Sequence, residues 1–526
     1  MSKINSQDLD DSAVAVAFRN EQSLSVRDAF RRYPTAVFWA VAMSMTIIME
    51  GYDTSLMHSF FAFPPFVEKY GQYYPKLGAK AITGPWQIAL GTAAPCGCII
   101  GLVINGYVTE RFGHRMVTMV GLSVMSSFIF ITFFAPSIEV LLVGQVLIGI
   151  PWGIFSIMGS AYSSEVCPLA LRGYLLAFVS LCWVIGQIIA AGVLQGFVDT
   201  NSQWAYRIPF AIQWVWPVPL IILAFFAPDS PWWLIRNGRV LEAERSMQRL
   251  SSGFSENEIK QQVAMMVHTN KLEESLNTNS SYRDCFKGTN LRRTEIAAMV
   301  LASQILPGQP MCQNATYFFT QAGLSASNAY KLNFGAIGLA FFATCFSWFL
   351  MTHFGRRTLF IAGISLLTLD LLVIGTVAFA SSKASMWVQS ALAVVWLAIF
   401  CATTGPQSLT LAAEISATRL RSQTVSIARN AYVVVSIIGN IIQPYLINPT
   451  EANLKGKAAL IWFGVGVLAT VWVVFRLPET KGKTYEELDI LFEKRTPAWR
   501  FASTKFDVVA EAEELQHSNA AGSSGH

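Results

Sequence analysis

Glu50 and Asp53 stand three residues apart inside an apolar stretch, MSMTIIMEGYDTSLMHSF. Residues at that spacing share one face of a helix. A carboxyl group in apolar surroundings is costly, and it marks a place where a proton can be taken up and released. Asp53 and Glu50 are both candidates for such a group. Asp370 lies in another apolar run and is as well explained by a polar partner on a neighbouring helix, so it is assigned no role. Amides and aromatic rings interrupt other apolar runs: Trp183 with Gln187, Gln304 with Gln313 and Tyr317, Trp396, and Asn430 with Tyr432. Such groups bond hydroxyls and cover C–H faces, and they also tie helices to each other. A third set sits at the edges of apolar runs, where acids recur beside arginines: Glu110, Arg111, Arg115, Glu165, Arg172, Arg356, Glu414 and Arg421. No phosphate loop, metal motif or nucleophile signature occurs, so neither an enzyme nor a cofactor is expected. Cys96-x-Cys98 lacks the gap and the partners of a zinc site, and the eight cysteines read mainly as small packing residues.

The elements that must carry these residues follow from composition. Hydrophobic residues make up 53% of the 526 and charged residues 13%, about half the charge of a soluble protein. A net charge of +5 gives no reason to expect a nucleic-acid partner. A lipid-spanning helix needs roughly 20 mostly apolar residues. Twelve stretches qualify, near 35–60, 86–106, 116–134, 139–163, 173–195, 207–227, 295–320, 332–353, 358–380, 386–413, 422–447 and 458–477. These apolar runs must be helices or barrel strands, and their length selects helices. The expected organisation is a cytosolic segment 1–34, a six-helix bundle 35–227, a cytosolic loop 228–294 with short amphipathic helices, a second bundle 295–477, and a cytosolic tail 478–526 that ends in a disordered AAGSSGH. Arginines and lysines fall in alternate loops, which places those loops and both termini in the cytosol and the 61–85 loop outside. The N-terminal thirty residues hold no signal-peptide core. Asn279 and Asn314 match a glycan motif, but one falls in a cytosolic loop and the other within a helix, so neither is expected to carry a glycan.

Three motifs repeat in order. ERFGHR at 110–115 is echoed by THFGRR at 352–357, EVCPLALRG at 165–173 by EISATRLRS at 414–422, and PDSPWWL at 228–234 by PETKGKT at 478–484. The offsets are 242, 249 and 250 residues, read from the glycines, glutamates and prolines. A parallel duplication of six helices is the economical explanation.

On these motifs the chain resembles the sugar porters of the major facilitator superfamily. Within that family it is similar to fungal α-glucoside, maltose-type permeases through MEGYDTSL at 49–56, GIPWG at 149–153, LCWVIGQIIAAGVL at 181–194, TYFFTQAGL at 316–324 and RLRSQTVSIARNAY at 419–432. The resemblance implies an all-α membrane protein of twelve transmembrane helices in two pseudo-symmetric six-helix bundles. It implies alternating access, with sugar and protons as partners and lipid as the solvent, in the plasma membrane. Asp53 would then be the preferred proton-coupling residue, with Glu50 second. Gln187, Gln304 and Asn430 would lie near the sugar; Trp183 and Gln313 suit it by residue type, and Tyr317, Trp396 and Tyr432 are softer candidates. The charges at the helix ends would form a cytosolic gate network. Several positions depart from the pattern: Cys98 where related symporters carry an acid, Gln145 for an arginine of the wider family, Ser180 for an amide, and Leu409 for a tryptophan. A transporter of a non-sugar metabolite, an exporter included, and a sugar sensor that does not transport are the alternatives.

Overall fold

A computed structural model describes residues 25–501, except 76–77, 277–281, 314, 322, 381, 418–419, 450, 482 and 484. Ten helical stretches among the described residues are long and apolar enough to cross a membrane. One of them, Gly84–Phe133, is 50 residues long and turns at Gly113, so it supplies two spans. The seventh span is broken into Gly288–Ala302, Gln309–Gln313 and Ala315–Gln321, and with it the number of spans is twelve.

The breaks have local causes. Pro307 and Pro310 withhold two amide donors from the seventh span, and Gly308 adopts φ +89°, so residues 303–308 leave the helix. The span predicted at 386–413 is Lys383–Ala402 followed by Thr404–Ile415, with Thr403 non-helical between them. The two amphipathic stretches of the long polar loop form Val240–Leu250 and Glu256–Leu276, and the sequence predicts both. The 61–85 loop holds a helix, Pro64–Tyr70, and a two-stranded antiparallel ribbon in which Tyr73 pairs with Lys80. The tail is ordered further than its composition suggests. Helix Tyr485–Glu493 buries Leu488, Leu491 and Phe492 against Phe360, Val473 and Phe501. AAGSSGH, Asn279 and Asn314 lie outside the described residues.

Contacts divide the chain into two units. The first holds Met1–Asn279 together with Gln313–Phe341 and Asn440–Asn453. The second holds Ser280–Cys312, Phe342–Gly439 and Leu454–His526. In the first unit, glycines let backbones touch. A β-carbon at Gly97 would stand 2.0 Å from the Val146 carbonyl oxygen, and one at Gly101 2.0 Å from that of Ile150. From the facing helix, Gly149 and Gly153 approach the Ala94 and Cys98 carbonyls as closely. Gly51 and Gly186 do the same for helices Thr46–Phe60 and Leu169–Phe197, against Trp183 and Ile48. Lipid tails give helices no hydrophobic reason to associate, so close backbone packing must hold them. The outward faces are apolar, with Val103 70% and Leu468 72% exposed.

Gly153→Val would force its two helices apart. We expect it to abolish surface expression of a fluorescently tagged chain, whereas Gly173→Ala, where an added β-carbon meets nothing, should express like the parent.

Candidate functional site

The first site is built around a carboxyl group in the first span. Asp53 is fully buried on helix Thr46–Phe60. Gln213 donates an Nε2 hydrogen bond to its Oδ1, and Gln145 lies beside it. Its other oxygen, Oδ2, has no hydrogen-bond partner among the described residues. No arginine or lysine is paired with it there, so the group's near neighbours are neutral amides. A buried carboxylate without a cation is costly as the anion, and the open Oδ2 is where a proton can sit. Glu50, one turn earlier, is only partly buried. Gln213 was not singled out in the sequence, although it carries the same signal, an amide inside an apolar run. It occupies a single 3₁₀ turn, Gln213–Val215, between helices Trp204–Ile212 and Pro217–Phe226, and that turn carries its amide to Asp53.

The remaining predicted ligand residues lie on several spans. Trp183 and Gln187 share one helix four residues apart and are both partly exposed, as a polar lining requires. Tyr317 is buried and its hydroxyl engages Gln87. Gln304 falls in the break of the seventh span. Asn430 turns its amide back to the Ser426 carbonyl at 3.0 Å, so one of its two N–H donors is spent on its own helix. Trp396 is a core residue, wholly buried and stacked on Phe400 with centroids 5.4 Å apart. Tyr432 receives Gln309 Nε2 at 3.5 Å, and the Arg429 guanidinium covers its ring. The side chains of Gln313, Arg172 and Arg421 lie outside the described residues. The structure adds a polar face that the sequence reading passed over. On helix Thr404–Ile415, Gln407 is fully buried with neither amide atom bonded among the described residues, and the Thr404 and Thr410 hydroxyls beside it are likewise unpaired. GPQSLTL carries the same signal in the sequence, an amide and hydroxyls inside an apolar run.

The charged motifs assemble inside each unit along the lines of the repeat. In the first unit Glu165 faces His114 at 3.7 Å, binds the Arg236 guanidinium and engages Ser230. In the second, Glu414 faces Arg356 at 3.8 Å and accepts from the Thr480 hydroxyl at 2.5 Å. His114 and Arg356 both follow the motif glycine, and Ser230 and Thr480 occupy equivalent places in the third motif. Glu479 accepts from the backbone N–H groups of Arg356 at 2.8 Å and Arg357 at 3.2 Å, capping helix Arg356–Val377. Burial pushes the Asp229 carboxyl above its ordinary value, while the Arg115 guanidinium draws it back down. The two glycines serve different needs. Gly113 takes φ +79°, and Trp233, whose indole N–H donates to the Glu110 carbonyl at 2.8 Å, packs against it. Gly355 has ordinary angles, but a β-carbon there would meet the Glu479 carboxylate at 2.2 Å. Glu110 and Arg111 are exposed, and Arg111 donates to the Tyr107 hydroxyl on its own helix.

The family model described as "Sugar (and other) transporter" matches residues 39–492. The chain belongs to that family. This sugar porter is 36% identical over 509 residues to the general alpha-glucoside permease of Saccharomyces cerevisiae (strain ATCC 204508 / S288c), covering 95% of the chain and 82% of the relative. It is 35% identical over 502 residues to the maltose permease MAL31 of the same strain, covering 94% and 82%. Its fold matches the solved structure of the proton:xylose symporter XylE bound to 6-bromo-6-deoxy-D-glucose, with a TM-score of 0.72 at 21% identity, over 88% of the chain and 99% of XylE. An inward open XylE from E. coli matches with a TM-score of 0.67 at 20% identity, over 87% and 99%. The protein is a multi-pass integral membrane protein of the major facilitator fold, with its twelve spans in two pseudo-symmetric six-helix bundles.

Glu479→Ala removes the carboxylate from two helix N-terminal amides. We expect a loss of about 1–2 kcal/mol, read as a lower thermal midpoint of the detergent-solubilised protein, with Glu479→Gln retaining part of it.

Proposed function

We propose that this sugar porter carries an α-glucoside into the cell together with a proton. The observation that carries the reading is its 34–36% identity, over most of its length, to yeast permeases named for α-glucosides and maltose. The site chemistry supports the coupling. Asp53 is buried beside neutral amides and has one open oxygen, so the proton itself is the natural cation for it. The substrate is bound by amides and rings from several spans, among them Trp183, Gln187, Gln304, Gln313, Asn430 and Tyr317, in alternating access of the two bundles. Asn430 keeps its oxygen and its second N–H for the substrate. The charge clusters around Glu165 and Glu414 form the cytosolic gate network. Pairs such as Glu165–Arg236 and Glu414–Arg356 suit a gate because such contacts can break and re-form as the bundles move. The loop charges put both termini in the cytosol, and the kinship with permeases supports the plasma membrane. The division into bundles 35–227 and 295–477 about the loop 228–294 is part of the same reading.

Radiolabelled maltose and related α-glucosides, offered to yeast lacking its own permeases, should accumulate at acid external pH and leak away when the proton gradient is collapsed. Absence of accumulation of every glucoside tested, with movement of another solute, would overturn the sugar. Retention of bound sugar without any uptake would make the chain a sensor.

Asp53→Asn keeps an oxygen to accept from Gln213, so the protein should fold and reach the surface. Accumulation against a gradient should fall at least tenfold while exchange of labelled for unlabelled sugar persists. Unchanged proton-driven accumulation would remove Asp53 from coupling.

A further inference from the structure

Proline at position 95 stands inside the helix Gly84–Phe133. It has no N–H, so the carbonyl four residues earlier, that of Gly91, loses its helical donor. Inside a membrane such a carbonyl needs another partner. Asn440 provides one: its Nδ2 donates to the Gly91 oxygen at 3.1 Å, and the side chain is only 4% exposed. The donor comes from a helix, Arg421–Ile447, that is itself interrupted by Pro444. Pro444 stands four residues after Asn440 and withholds a donor from Asn440's own carbonyl. Both helices are therefore weakened at the level where they meet, and a bend there is the expected consequence.

The contact continues toward one end. Asn448 donates to the Ile82 carbonyl at 3.3 Å, and the Glu451 side chain lies beside Gly84. Along one helix the partners run 440 to 448, and along the other 91 to 82. One series rises while the other falls, so the two segments run antiparallel. Nearby, Tyr330 donates its hydroxyl to the Ser59 carbonyl, and the Phe63 ring meets the Tyr330 ring edge-on at 5.7 Å. All of these residues belong to the first unit. The 61–85 loop marks this end as the one that the charge bias puts outside.

We infer that Asn440 latches the outer mouth shut by standing in for the amide that Pro95 withholds from the Gly91 carbonyl. The inference rests on the reading of the chain as a transporter. A latch must be firm when closed and must release without leaving an orphan that forbids opening. A carbonyl freed by proline meets both demands. When the mouth is closed, Asn440 satisfies it. When the mouth opens, water enters and takes over. An ordinary helical carbonyl would offer Asn440 little, since its strongest donor is already in place. Asn440 is thus a positioning residue for the transport cycle.

The test pairs removal of the donor with repair of the acceptor. Asn440→Leu leaves the Gly91 carbonyl unpaired in the closed form. Asn440→Leu with Pro95→Ala restores the helical N–H, so neither group is orphaned. The conformational readout is labelling of a cysteine at Ser59→Cys by a membrane-impermeant maleimide from outside, measured above the parent chain and without sugar. With Asn440→Leu, labelling should rise about tenfold, the effect of an unmet buried carbonyl. In the double variant it should fall back toward the parent rate. Labelling unchanged by Asn440→Leu, or a double variant as reactive as the single one, overturns the latch. If Asn440→Leu does not reach the surface, recovery of surface expression on adding Pro95→Ala supports the pairing, and no recovery overturns it. Maltose uptake by the same cells is measured in parallel. A parent chain that moves no glucoside while the labelling pattern holds defeats the substrate reading and leaves the latch standing.

Discussion

A carbonyl oxygen or a carboxylate inside a bilayer has no water to turn to, so another group of the protein has to meet it. Much of this structure follows from how that demand is met. Asp53 is met by the Gln213 amide, and the helix carrying Gln213 is interrupted by a 3₁₀ turn that brings the amide there. Gly91, stripped of its donor by Pro95, is met by Asn440. The N-terminal amides of helix Arg356–Val377 are met by Glu479. Where the demand goes unmet among the described residues, as at Gln407 with Thr404 and Thr410, the polar face is a place for a ligand's hydroxyl groups or for water.

The same solvent makes close packing the main cohesion between spans. Gly97, Gly101, Gly149 and Gly153 bring two helices to backbone contact, and Gly51 with Gly186 does so for the helices that carry Asp53 and Trp183. The second contact has a functional side. It sets Asp53 and the aromatic–amide pair Trp183 and Gln187 on adjoining helices. The packing that stabilises the unit thereby also brings its chemistry together.

The repeat was legible because it leaves letters at fixed offsets. ERFGHR and THFGRR, the two glutamates, and PDS and PET are all visible in the chain. In space the correspondence is closer than the letters suggest: Glu165 with His114 and Ser230 matches Glu414 with Arg356 and Thr480. The role of Glu479 was not legible. Its motif repeats in the chain, but nothing local says that a residue after the last span of a bundle returns to a helix start more than a hundred positions away. An amide and an indole in apolar runs carry the same signal whatever they do: Asn430 gives one N–H to the Ser426 carbonyl of its own helix, and Trp396 is buried and stacked on Phe400.

By itself the sequence determined the solvent, the number of spans, the duplication and the family. Each of these depends on quantities that sum along the chain, namely apolar length, charge placed between spans, and motifs at constant spacing. Even the Gly91 vacancy was written in the chain, since a proline always costs the carbonyl four residues before it its helical donor. What fills the vacancy was not. That Asn440 meets Gly91, that Gln213 meets Asp53 and that Glu479 meets Arg356 depends on contacts between residues 349, 160 and 123 positions apart. Hydrogen bonds depend on distance and direction over a few ångströms, and only the packed helices set those.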